Sequence, residues 1–474
     1  MGSFVGAALL VGCATVVVEH QSDGAGGGGA SPWTTGAGAE TSSAGGSREC
    51  PDDWTHILGG SGANWLRSHA VGPDGSVAVT VDSTADLSID GVPLDLEDGG
   101  LVVIVFGPDG DLAWARRFGQ SNQLPAMPVA FTPSGNVVVG GIGFGTIDLG
   151  DVVARQDGAT GYVVSFSPSG VAEWIQSWSV PIESGGLGNM VVDGLGNIYF
   201  DGGVGYDGDT MNWGDLSTDG ETFVGKILAN GEPAWVRGFR GAFIERRALA
   251  TTPEGHLVMG ESMELEGKFG DQVLSTPGDF DALMVELDSD GAVVDARQFG
   301  DDALQRSGGF VIGPTGARAL FGITWGEVDF GTGPVNAPGS DDVFLAAFDA
   351  GGTNTWTKTA PNTYAPTLMT GKADGGLALL AERELASALG CPKTTGPGFS
   401  LVDLDAHGDC VTRERVAYCS DDPYCEVYFG GLHVSPNRSI VSGYFSGGLY
   451  LRDALVTADI WDGFISSRGS CAEP

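Results

Sequence analysis

The segment GPDGDLAWARRFG, residues 107–119, returns along the chain at a nearly fixed interval. Related stretches begin at Ser165 (SFSPSGVAEWIQSW), Lys226 (KILANGEPAWVRGF), Glu286 (ELDSDGAVVDARQF) and Ala347 (AFDAGGTNTWTKTA). Their aromatic anchors, Trp114, Trp174, Trp235 and Trp356, are separated by 60, 61, 60 and 61 residues when Asp295 fills the gap. A second landmark, a Gly ahead of a β-branched run, falls at Gly75, Gly135, Gly196, Gly255, Gly316 and Gly376, in steps of 60, 61, 59, 61 and 60. Two independent landmarks with one period identify a tandem array, which restricts the chain to repeat architectures.

Each unit reads as four strands, a to d. In the second unit, PVAFTP and NVVVGGI flank a Pro-Ser-Gly turn, and GYVVSFS and VAEWIQSW flank another. Pro presets φ at the first turn position and Gly supplies the positive φ, so both pairs read as antiparallel hairpins. Strand c begins near Leu101, Tyr162, Phe223, Leu283, Val343, Phe399 and Phe464, which counts seven units. A four-stranded sheet cannot bury both of its faces alone, and radial packing in a ring covers them. The expected fold is therefore all-β: a seven-bladed β-propeller with four antiparallel strands per blade. The d-strand indoles are expected to wedge one blade against the next.

The two ends of the array point to closure. The last unit stops just after its strand c (DGFISSRGSC), while an extra strand, PDDWTHILGG, precedes strand a of the first. Trp54 sits there where the other units carry their d-strand Trp, so the N-terminal strand is expected to complete the last blade. Cys50 and Cys471 then fall in one interrupted turn, and a disulfide between them would clasp the ring. Cys419 and Cys425 share the segment YCSDDPYC and pair naturally across it. Cys391 and Cys410 remain, and sequence alone allows three pairings of these four.

Composition bears on address and partners. The chain carries 61 Asp and Glu against 23 Lys and Arg, a net charge of −38, which disfavours nucleic acid and anionic membrane surfaces. Residues 21–49 are Gly/Ser/Ala-rich and read as a flexible tether. The run ALLVGC, residues 8–13, resembles the lipobox of bacterial lipoproteins. That resemblance implies cleavage before Cys13, lipid attachment to its thiol, and a place at the cell envelope, outer membrane or beyond. The domain plan is then a signal segment at 1–12, a tether at 13–49 and the propeller at 50–474. With Cys13 set aside, six Cys remain, as suits an oxidising compartment.

Function is expected on one face of the disc. The a–b and c–d turns are short and stereotyped. The b–c and d–a connections are long and varied, as in 82–100, 205–221 and 418–428, and loops on a rigid scaffold are where binding resides. The Gly-rich stretch VGGIGFGTIDLG lies in a β array without the helix a dinucleotide site needs. The Asp-rich stretches YDGDTMNWGD and DLDAHGD could hold Ca²⁺, although Asp and Gly are also ordinary turn residues and neither stretch has EF-hand spacing. The six His show no H-E-x-x-H pattern, no G-x-S-x-G elbow occurs, and the paired carboxylates Asp301-Asp302, Asp341-Asp342 and Asp421-Asp422 sit in loops. No catalytic residue and no obligatory cofactor is assigned.

GTIDLG (145–150), GEVDFG (326–331), DDVFLAAFDAGGTNTW (341–356) and GPDGDLAWARRFG make the chain similar to bacterial seven-bladed β-propeller repeat proteins with units of roughly 60 residues. The resemblance spans residues 54–471 and implies the propeller fold and export. A second resemblance is to quinoprotein-like propellers, through the Gly-x-x-x-Trp spacing of Gly110–Trp114 and Gly231–Trp235. The expected function is a lipid-anchored, monomeric, non-catalytic scaffold that binds a protein or glycan at the cell surface. The alternative is a propeller enzyme, either a quinone- or calcium-dependent oxidoreductase or a polysaccharide-active enzyme.

Overall fold

The computed structural model describes residues 53–469 apart from 97–98, 120–126, 150–151, 180–186, 205–209, 241–247, 265, 277–278, 362, 364–367, 394–395 and 421–424. Cys13, Cys50 and Cys471, and with them the signal segment, the tether and the clasp, lie outside the described residues.

The described chain is all-β and antiparallel, with one short helix at Arg383–Ala388. Asn64–Val71, Val77–Ser83, Gly100–Phe106 and Leu112–Gly119 pair in sequence order as one sheet. The same order recurs from Leu187–Val192 to Pro233–Phe239, from Ala248–Thr251 to Val293–Phe299, and from Gln305–Ile312 to Asn354–Ala360. A six-stranded sheet holds Val129–Phe131, Val137–Asp148, Val153–Phe166 and Ala172–Ser179, extended by the hairpin Thr210–Trp213/Leu216–Asp219. The remaining large sheet has ten strands and joins Leu368–Gly371 through Cys410–Cys419 to Glu426–Ser435, Arg438–Leu451 and Ala454–Gly469. The N-terminal strand Trp54–Gly59 pairs antiparallel with Ala454–Gly469, from Trp54 opposite Ser467 to Leu58 opposite Gly463.

The first strands of successive sheets lie side by side. Asn64–Val71 neighbours Val129–Phe131, which neighbours Leu187–Val192, and the series runs on through Ala248–Thr251, Gln305–Ile312 and Leu368–Gly371 to Glu426–Ser435. That last strand in turn lies beside Asn64–Val71. The core is correspondingly divided among the seams between sheets. Val103, Val105 and Trp114 of one sheet pack with Val129, Val137, Tyr162 and Val164 of the next. Leu58, Ile440 and Ile465 pack with Val71, Val77 and Ile104 where the chain's two ends meet. Each such aliphatic side chain contributes about 1.5–3 kcal/mol, so the seams between sheets carry much of the stability.

A repeated clip spans these seams. The Trp114 indole donates to the Pro168 carbonyl at 3.0 Å, Trp235 to Ser289 at 3.1 Å, Trp356 to Ala406 at 2.9 Å and Trp54 to Pro108 at 3.3 Å. Two residues on, a second side chain reaches the same turn. Arg116 donates to Gly170 O at 3.1 Å, Gln176 to Gly231 O at 2.8 Å, Arg237 to Asp290 O at 3.1 Å and Lys358 to Gly408 O at 2.5 Å. Where Asp295 replaces Trp, Arg297 serves alone, with bonds to the Gly351 and Gly352 carbonyls. The turn glycines have two reasons to be Gly. Gly170 has φ +79°, and a Cβ there would sit 2.7 Å from the Trp114 ring. Gly110 stands likewise against Trp54, Gly231 against Trp174 and Gly291 against Trp235.

The connections expected as long loops are mostly ordered hairpins. Asp90 (φ 52°) and Gly91 (φ 79°) turn Ser88–Ile89 into Val92–Pro93. Gly214 and Gly270 occupy equivalent turns at Thr210–Trp213/Leu216–Asp219 and Glu266–Phe269/Gln272–Ser275, and Arg452-Asp453 closes the hairpin of Arg438–Leu451 with Ala454–Gly469. Three of these hairpins bond sideways to the last strand of the preceding sheet, through Leu58–Ile89, Ser179–Asn212 and Ala417–Leu451. The physical reason is burial. Met211, Trp213 and Phe269 are buried between exposed neighbours, and Ile89 and Leu449 are buried in their own hairpins, so that each hairpin is anchored on the seam.

Candidate functional site

At the face built by these hairpins, the N-terminal strand ends at Gly59 and crosses to Asn64–Val71 through Gly60-Ser61-Gly62-Ala63. This crossing and the segment Thr457–Asp462 enclose an open cleft of about 640 Å³, counting its mouth, lined by Gly60, Ser61, Gly62, Thr457, Asp459, Ile460 and Asp462. The strand register slips between Phe445 and Gly447, so residues 459–461 bulge away from the ladder. That bulge lets Asp459, Ile460 and Asp462 all reach the cleft.

The crossing itself is rigidly held. A Cβ at Gly60 would lie 2.0 Å from the Asp86 carbonyl oxygen, and one at Gly62 would lie 2.5 Å from the Thr84 hydroxyl. The Ser61 N–H and hydroxyl both donate to Asp86, which holds that exposed carboxyl below its usual range. Asn64 is fully buried, donating to Gly62 O at 2.9 Å and accepting from Ser83 at 2.7 Å. Burial pushes the Asp462 carboxyl up; the Asn64 hydrogen bond partly offsets this, and the nearby Asp459 charge adds to it. The cleft thus offers a fixed backbone, two hydroxyls, two carboxylates and the half-exposed Ile460.

On the other side of the same strand stands an aromatic cluster. Tyr428 and Tyr444 stack at 5.2 Å between centroids, and Trp461 meets them at 5.7 and 5.6 Å. Arg67 lies 5.2 Å over Trp65 and 5.5 Å over Tyr444. Its guanidinium is 3.9 Å from the fully buried Asp82, and burial draws its pKa down. Trp65, Tyr428 and Trp461 keep part of their surface open to solvent.

The cysteines within reach form two bridges, Cys391–Cys410 and Cys419–Cys425, with Cα atoms 5.2 and 5.6 Å apart. Neither lines the cleft. Trp54, Trp114, Trp235 and Trp356 sit in the clips above, and Trp174 packs on Gly231. Of the Asp-rich stretches, DLDAHGD is a tight turn: Asp405 accepts the His407 and Asp409 N–H groups at 2.8 and 2.9 Å, and Asp403 pairs with Lys372 at 2.6 Å. Much of YDGDTMNWGD forms the hairpin at Thr210–Trp213, with 205–209 outside the described residues. Among the described residues no three His, Cys, Asp or Glu side chains are grouped so as to hold a metal ion. Asp301 is occupied by the Ala303 N–H and the Gln305 amide at 2.8 Å each, and Asp342 accepts the Gly339 N–H at 2.9 Å.

The cleft residues were not singled out from the sequence. Ser61 and Asp462 come from opposite ends of the chain and belong to no motif, and only strand pairing brings them together.

No family model matches the chain and no curated protein matches its sequence. Among solved structures, it is similar to a protein of unknown function from Dyadobacter fermentans, at 13% identity and a TM-score of 0.38, over 88% of this chain and 98% of that one. It is similar to a Synechocystis apocarotenoid oxygenase mutant at 11% identity and a TM-score of 0.37, covering 85% and 88% of the two chains. Prolyl oligopeptidase B from Galerina marginata aligns at 9% identity and a TM-score of 0.38, over 83% of this chain and 50% of that one. Likenesses this distant assign neither a fold family nor an activity.

Proposed function

We propose that the chain is an exported β-propeller of seven four-stranded blades, tethered to the cell envelope by a lipid on Cys13, that serves as a non-catalytic binding scaffold. The propeller reading is supported by the side-by-side series of first strands and by the pairing of Trp54–Gly59 with Ala454–Gly469. The observation that carries the binding reading is the cleft between Gly60–Gly62 and Thr457–Asp462, walled by a rigid crossing and lined mainly by hydroxyl and carboxylate oxygens. Such a surface suits a hydroxyl-rich or protein ligand held by hydrogen bonds. With a net charge of −38 the scaffold repels polyanions, so the ligand is neutral or cationic.

The test is a thermal-shift titration of the purified chain with a panel of neutral oligosaccharides, with Ca²⁺ and with a quinone cofactor. The scaffold reading expects a Tm rise with an oligosaccharide that Asp462→Asn abolishes, and no quinone-dependent dye reduction. Dye reduction that disappears when the 454–462 segment is replaced by a short turn would overturn it in favour of an oxidoreductase. Lipid attachment is tested separately by intact mass in cells: an unmodified Cys13 contradicts the anchor.

A further inference from the structure

The seam where the two ends of the chain meet differs chemically from the others. At five seams the second clip donor is Arg116, Gln176, Arg237, Arg297 or Lys358. At the terminal seam the corresponding residue, two after Trp54, is His56, bonded to the Gly110 carbonyl at 2.8 Å and to Asp90 at 2.7 Å. Two more histidines lie in the same seam, His69 buried and His433 half-buried. His69, on Asn64–Val71, is 4% exposed and bonds Ser442 at 2.6 Å. His433 is on the neighbouring strand Glu426–Ser435. The fit is tight: a Cβ on Gly431 would lie 2.3 Å from the His69 ring.

We propose that this terminal seam is a proton-sensitive closure: protonation of His69 and His433 separates the first and last sheets while the other seams stay shut. Among the described residues no carboxylate bears on either imidazole, so a second charge in this packed interface goes uncompensated. The groups that bear on His69 are the Ser442 hydroxyl and His433, and His433 in turn faces Arg438, itself cationic. Burial first, and the His433 charge second, hold His69 down to about 3. Burial first, and Arg438 second, hold His433 down to about 4. The sign follows from linkage. The closed seam binds fewer protons than the open one between the ordinary value of 6.5 and these lowered values, so closure is fully present at neutral pH and weakens as pH falls through that window. Arg438 is the part of the latch that acid leaves unchanged, donating to the Gly75 carbonyl at 3.0 Å and to Pro108 O across the seam.

Hydrogen exchange on the full chain, corrected for intrinsic rates, tests this between pH 6.5 and 4.5. Amides of Asn64–Val71 and Glu426–Ser435 are expected to open more frequently by up to about a hundredfold per pH unit for two protons, and by about tenfold in either His69→Gln or His433→Gln alone. Amides of Leu187–Val192 and Ala248–Thr251 are expected to keep their protection, and the double variant is expected to lose the acid response at the terminal seam. Equal acid sensitivity at all seams overturns the proposal, as does an unchanged response in the single variants. The single variants suffice should the double variant fail to fold.

Discussion

At the residue scale, the turn glycines show how one position answers two physical demands. Gly170 and Gly255 both adopt a φ near +80°, but only Gly170 has an indole against it; nothing lies within 4 Å of a Cβ at Gly255. Gly255→Ala is expected to cost about 1 kcal/mol for backbone strain, and Gly170→Ala about 3 kcal/mol, because Trp114 must also move. Urea unfolding of the two variants separates these contributions. Asp281 gives a pH-dependent case. It is fully buried, and burial raises its carboxyl to about 6; the Gln298 hydrogen bond opposes this and the Asp301 charge adds to it. The native carboxyl therefore holds its proton to higher pH than the unfolded one, at 3.8, and stability falls as pH rises through that interval. Asp281→Asn should stabilise the chain by about 2 kcal/mol at pH 7, with the gain vanishing by pH 4. Denaturant midpoints at the two pH values measure it.

At the element scale, the sheets are joined by two devices of unequal legibility. The clip could be read in outline from the sequence: the period of Trp114, Trp174, Trp235 and Trp356 and the Gly of each turn announce a repeated contact. Its second donor was hidden, because Arg116, Gln176, Arg237, Arg297 and Lys358 share geometry and not residue type. The hairpins were not legible, since Asp90-Gly91 lies within a stretch rich in Asp and Gly and the alternation of Leu87 and Ile89 on the buried side is too short to mark a strand. The helix Arg383–Ala388, which stands where other units have a hairpin, had no periodic signal over its six residues. The fourth clip tests the division of labour. Arg297→Ala removes the d-strand side-chain donor at that seam's turn, where Arg318 still donates to the Ala350 carbonyl at 3.1 Å, and is expected to cost about 2 kcal/mol, while Arg116→Ala leaves Trp114 in place and should cost under about 1 kcal/mol. Parallel chemical denaturation decides it, and equal losses would mean that the indole contributes nothing as a donor.

At the scale of the whole molecule, the repeat period foretold the succession of four-stranded antiparallel sheets, and the extra strand at Trp54 foretold the pairing of Trp54–Gly59 with Ala454–Gly469. The cleft was not legible, for the same reason that it exists: it forms only when residues 60–62 and 457–462 are drawn together by the pairing of the chain's ends. The proposed binding, closure and acid response thus all fall on one seam. The most direct test of that claim is a cysteine pair at Thr55 and Ser466, whose hydroxyls lie 2.9 Å apart across 411 residues of sequence. In Thr55→Cys/Ser466→Cys chains, mild oxidation followed by peptide mapping should yield a 55–466 disulfide in the monomer fraction. A ring closed by the N-terminal strand predicts that link within one chain; its absence, or its appearance only between chains, would contradict the closure.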